Sequence, residues 1–131
     1  MSSNGQIVTG VDFVAVPTKD LDAAVEFYGT TLGLRRSVYY PDRHFAEFET
    51  GNLTLSVIVA EKFGLPYEPN RNAIALHVED MDAARATLSE RGVEFVGDTL
   101  DTSVCHMAFF ADPDGNALML HHRYAPRVTE S

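Results

Sequence analysis

Two rhythms of apolar and polar positions alternate along the chain, and they return in the same order in each half. The runs VDFVAVP (Val11–Pro17) and AIALHV (Ala73–Val78) read as strands with apolar residues on alternate positions. Behind each comes a helical spacing. Leu21, Ala24, Val25, Tyr28 and Leu32 fall on one face in the first half, and Met81, Ala84 and Leu88 in the second. Asp20 and Asp80 stand where an N-cap is needed, and Gly33 and Gly92 where a helix should stop. Three further strands follow each helix: LRRSVYYP, HFAEFET and LTLSVIVA, then EFVGDTL, SVCHMAFFA and NALMLHH.

The two halves are copies of one plan. KDLDAA at Lys19–Ala24 returns as EDMDAA at Glu79–Ala84. Two units are too few for a solenoid, so an internal duplication within one domain is the simpler reading. Asp112, Pro113, Asp114 and Gly115 form the tightest turn signal in the chain, since Pro fixes φ, Asp binds its own backbone and Gly takes positive φ. EKFGLPYEPNRN, with two prolines and a glycine, reads as the connector. The expected domain covers residues 8–123, with modules at about 8–60 and 72–123, a connector at 61–71, and flexible tails at 1–7 and 124–131.

Composition narrows the partners. The formal charge is −9, from 10 basic and 19 acidic residues, and no basic cluster interrupts the acidity. Phosphate backbones and anionic lipid therefore have no electrostatic reason to bind. No apolar run approaches the roughly 20 residues that span a bilayer, and the N-terminus lacks the pattern of a signal peptide, so a cytoplasmic protein is expected. Cys105 is the single cysteine, placed mid-strand, where a buried structural thiol is a better reading than a nucleophile.

The duplicated βαβββ plan, with DLDAAVEFYGTTLGL and DPDGNALML as its motifs, resembles the vicinal oxygen chelate superfamily of glyoxalase I, extradiol dioxygenases, and fosfomycin- and bleomycin-resistance proteins. The resemblance implies an α+β fold of two modules, each a curved mixed sheet with a helix on its convex face, together forming a cleft. It also implies a homodimer. On that frame, alternation sends Val14, Val16, Leu55, Val57, Leu118 and Leu120 under the helices, and leaves Phe13, Thr54, Ser56, His77, Met119 and His121 facing the cleft.

Enzymes of this superfamily hold a divalent metal with His, Gln or Glu from the first, fourth, fifth and eighth strands. The matching positions here are Phe13, Thr54 or Ser56, Ala73, and Met119. A thioether prefers soft ions, a hydroxyl is a weak donor, and Phe and Ala are none. No standard metal site is expected.

Other candidates carry blander readings. His121 and His122 are neighbours on a strand and point to opposite faces. His77, His106 and His121 could form a displaced site only if they converge. Only one of Tyr39 and Tyr40 can face inward, Phe63 and Tyr67 could close over the cleft, and Glu47 and Glu49 fit either a base or an exposed strand face. The expected function is a metal-independent protein that sequesters an aromatic or bulky apolar small molecule in the cleft, with no cofactor and no assigned catalytic residue. The alternative is a lyase, isomerase or dioxygenase of the same superfamily, using a non-standard divalent metal site or a His general base.

Overall fold

A computed structural model describes residues 5–126; the outer parts of the two expected tails, 1–4 and 127–131, lie outside the described residues. The chain runs β1 (Phe13–Thr18), α1 (Leu21–Glu26), β2 (Arg35–Tyr40), β3 (Phe45–Glu49) and β4 (Thr54–Val59), then β5 (Ile74–His77), α2 (Met81–Glu90), β6 (Val96–Asp101), β7 (Cys105–Ala111) and β8 (Ala117–Arg123). Each half builds its own four-stranded mixed sheet, in the orders β1-β4-β3-β2 and β5-β8-β7-β6. In both, the first strand lies parallel to the last and forms an edge.

Both helices start as their sequences require. Asp20 Oδ1 accepts from the Ala23 amide at 3.2 Å, and Asp80 Oδ1 from the Ala83 amide at 3.0 Å. Both also stop at glycine, with φ of +75° at Gly33 and +94° at Gly92. The first helix departs from expectation in its second half, where Phe27–Thr31 winds as a π-helical turn. Wider winding seats two rings of adjacent residues edge to face, Phe27 and Tyr28, with centroids 5.2 Å apart. Tyr28 then packs on Phe48 of the first sheet, and Phe27 on Phe110 of the second.

Gly29 lies in that turn, and a Cβ there would sit 3.3 Å from Cε1 of the fully buried Phe48. Gly29→Ala is expected to cost about 1–2 kcal/mol, because the buried Phe48 ring must shift to admit the methyl. Urea unfolding of the variant checks this.

One core serves both modules. Val16, Ala46, Phe48, Leu55 and Val57 from the first sheet join Ala108, Phe110, Leu118 and Leu120 from the second, with Ala24, Tyr28, Met81 and Leu88 of the helical segments. The helix-bearing faces of both sheets therefore look toward each other, and the opposite faces look away from the common core. No helix among the described residues is long and apolar enough to cross a membrane.

The DPDGN turn bolts the modules together. Asp112 is 6% exposed, and its Oδ2 accepts from the Tyr28 hydroxyl at 2.7 Å and from Asn116 Nδ2 at 2.9 Å. Its Oδ1 accepts the amides of Asp114 and Asn116, both at 2.9 Å. Asn116 Nδ2 also donates to the Pro17 carbonyl of β1 at 2.8 Å, while its Oδ1 accepts the Asn70 amide of the connector at 2.7 Å. Burial, with Asp112 beside it, pushes the Tyr28 phenol far above its ordinary value.

Candidate functional site

Residues directly opposite each other in a sheet share a face, so the pairing registers define the two open faces. On the first sheet one row runs Phe13, Thr54, Glu49, Arg35, and the next Ala15, Ser56, Glu47, Val38. A third row is Pro17, Ile58, Phe45, Tyr40. On the second sheet Ala75, Met119, Phe109 and Val96 form one row, His77, His121, Met107 and Leu100 another, with Cys105 and Arg123 beyond.

Alternation thus places all six expected cleft residues on open faces. Phe13, Thr54 and Ser56 lie on the first sheet, and His77, Met119 and His121 on the second. The two trios do not meet within the chain, because the shared core separates them. The cleft is not closed by one chain.

The first open face has polar features that sequence reasoning undervalued. Glu49 Oε1 accepts from Thr54 Oγ1 at 2.7 Å and its Oε2 from Ser37 Oγ at 2.5 Å. These hydroxyls, with a further contribution from Arg35, hold its carboxyl below the usual range. It is ionised at neutral pH and a poor proton acceptor there. Ser56, in the next row, is only 4% exposed. The available signal for Glu47 and Glu49 was their alternation with Ala46 and Phe48, which are both fully buried.

The second open face is softer. Met107, Phe109 and Met119 supply polarisable and aromatic surface, flanked by His121. Arg123 carries a buried Nε with no hydrogen-bond partner among the described residues. His77 is tied to Glu79 by a 2.7 Å contact that is largely exposed, and that contact lowers the Glu79 carboxyl.

The three histidines of a displaced metal site do not converge. His106 lies opposite His122, on the other face of the sheet from His121 and Met107, and its nearest carboxylate is Asp101 at 3.5 Å. No three His, Cys, Asp or Glu side chains among the described residues are placed to hold an ion. The connector does not lid an open face through Tyr67: its hydroxyl donates to Asp114 Oδ1 at 2.8 Å, at the DPDGN turn, and desolvation, followed by that bond, pushes its phenol up to about 12. Tyr40 is on the open face of the first sheet and Tyr39 is not.

A sequence profile of the Glyoxalase/Bleomycin resistance protein/Dioxygenase superfamily matches residues 10–120. The chain belongs to this superfamily. TnmS3, an antibiotic-binding protein from Streptomyces sp. CB03234, is 27% identical with a TM-score of 0.76, over 91% of this chain and 99% of that one. A glyoxalase/bleomycin resistance protein/dioxygenase from Nocardioides is 25% identical with a TM-score of 0.73, over 94% and 91%. Lactoylglutathione lyase from Agrobacterium tumefaciens shares the fold at 17% identity, with a TM-score of 0.71 over 87% and 93%. No curated protein sequence matches the chain closely enough to assign it an activity.

The enzymes of the superfamily hold a divalent metal, and the residues present here do not fit one. At the positions where its enzymes place donors, this chain has Phe13, Thr54 or Ser56, Ala73 and Met119. A hard divalent ion needs several N or O donors at one point, and these offer at most weak hydroxyls.

Proposed function

We propose that this member of the glyoxalase superfamily is a metal-independent binding protein that sequesters an aromatic or bulky apolar small molecule. The observation that carries the reading is the donor set: hydroxyl, methyl, phenyl and thioether groups stand where a metal would need imidazole and carboxylate. The same groups suit a ligand pocket. Phe13 and Met119 give apolar contact that adapts to shape, and Thr54, Ser56, His77 and His121 supply directional polar contacts. The antibiotic-binding relative, at 27% identity over most of both chains, adds support.

The proposed working form is a homodimer in which the first open face of one copy meets the second open face of the other. Large apolar side chains on these faces stand in water in the single chain, including Phe13 at 54% exposure and Val96 at 73%. Charge also matches, because the carboxylates of Glu47 and Glu49 lie on one face and the guanidinium of Arg123 on the other.

The test is metal content, by elemental mass spectrometry, of protein purified without a His-tag or chelator. Less than about a tenth of an equivalent of divalent metal per chain is expected, with ligand affinity unchanged by EDTA. Near-stoichiometric metal that is needed for binding would overturn the proposal. Single changes His77→Ala and His121→Ala are expected to weaken ligand binding by no more than about tenfold each, as befits single polar contacts. Complete loss of a turnover at one of them would instead support catalysis.

A further inference from the structure

A cavity of about 630 Å³ lies away from the open faces, reaching one only at Ala75 and His77 of the edge strand β5. It lies between the two sheets, beside the helices, behind the wall that carries Met119 and Thr54. Its floor is Leu55 and Leu120, from the helix-bearing faces of opposite sheets, and its sides are Leu34, Leu76 and Leu88. A small residue on α2 keeps it open, since Ala84 lines it where a longer side chain would fill it; Thr87, which is exposed, stands only on its rim.

Charge at this cavity runs against the rest of the molecule. The chain carries a formal charge of −9, yet no Asp or Glu lines the cavity, while Arg91 does; His77, also at its edge, is held by Glu79 at 2.7 Å. Arg91 is held in place by Nη1 bonds to the carbonyls of Thr31 at 2.9 Å and Thr30 at 3.4 Å, which anchor one edge of the guanidinium. No carboxylate among the described residues forms an ion pair with it. A guanidinium fixed on one edge and unpaired on the others offers donors to an anion at the mouth of an apolar chamber.

We propose that this chamber is a second ligand site, distinct from the open-face cleft, which takes an apolar monocarboxylate with its chain on Leu55, Leu88 and Leu120 and its carboxylate on Arg91. The volume falls within the range of roughly 300–1,000 Å³ typical of small-molecule sites. An alcohol of the same length would fill the chamber equally well and lose the charged contact.

The probes are decanoate and decan-1-ol, measured on the full chain by displacement of a dansyl-labelled undecanoate. Decanoate is expected to bind at least about tenfold more tightly than decanol, and Arg91→Gln to bring the two within about twofold of each other. Because the chain contains no tryptophan, Thr87→Trp places a single reporter at an exposed position on the rim. Its emission is expected to shift on addition of decanoate while circular dichroism shows an intact fold. The proposal is overturned if neither probe binds, as when a second copy fills the chamber. It is equally overturned if Arg91→Gln binds decanoate as well as the parent, or if the Thr87→Trp emission is indifferent to it.

Discussion

Asp112→Ala is expected to lose about 3–5 kcal/mol of folding stability, enough to lower Tm by more than about 10 °C. The carboxylate accepts four hydrogen bonds, from the Tyr28 hydroxyl, Asn116 Nδ2 and the amides of Asp114 and Asn116. Its removal leaves a buried phenol and two amide hydrogens without acceptors, and a buried donor left unpaired costs more than an average hydrogen bond contributes. The damage also falls at a junction. Tyr28 belongs to the first module and Asp112 to the second, so the same change loosens the bond between modules and the tip of the β7–β8 hairpin. Urea unfolding followed by circular dichroism checks the magnitude. A loss under about 1 kcal/mol would mean that water substitutes for the carboxylate and that the turn does not act as a latch.

The same pair sets an alkaline limit. The Tyr28 phenol is raised in the folded state, first by burial and then by Asp112, above its value of about 10 in the unfolded chain. A group raised on folding contributes stability that is fully present below its unfolded pKa and declines as pH rises above it. Stability is therefore expected to fall above about pH 10. Tyr28→Phe should be less stable at neutral pH by about 1–2 kcal/mol and should show a shallower decline at high pH. Parallel slopes for the two proteins would show that the alkaline loss arises elsewhere.

What was legible in the sequence was what depends on near neighbours. Asp20 and Asp80 cap their helices through amides three residues on, and Gly33 and Gly92 end them by a local φ. Alternation correctly sorted Leu118 and Leu120 from Met119 and His121, because a strand has a period of two wherever it lies. The turn DPDGN announced a hairpin, but nothing near it announces Tyr28, which lies 84 positions away. Nor does alternation say what a buried face is buried against. The helix-bearing faces of both modules pack on each other, and the two expected halves of one cleft accordingly end on opposite sides of the chain. Glu49 shows the same limit at smaller scale. Whether a carboxylate stands on a solvated face or beside Thr54 depends on the register of β3 against β4, which the residues of β3 alone do not encode.

Met119→Arg is expected to weaken binding of the cleft ligand by at least about 100-fold while leaving the fold intact. Met119 pairs with Ala75 and Phe109 on the open face, half-buried and with no role in the common core, so a longer side chain can extend without displacing packed neighbours. In the ligand-bound state the guanidinium would be pressed against an apolar ligand and the Phe109 ring, where it loses water and gains no carboxylate from its own sheet. Leu120→Ala, one residue on, supplies the contrast. Leu120 is 3% exposed within the core, so the expected loss there is about 2–4 kcal/mol of stability. The pair separates pocket from scaffold within two adjacent residues. Thermal unfolding of both variants, alongside a thermal-shift screen of aromatic natural products, reads both effects. If a ligand found with the parent protein binds the Met119→Arg variant equally well, that ligand does not use this face, and the open-face cleft is not the binding site.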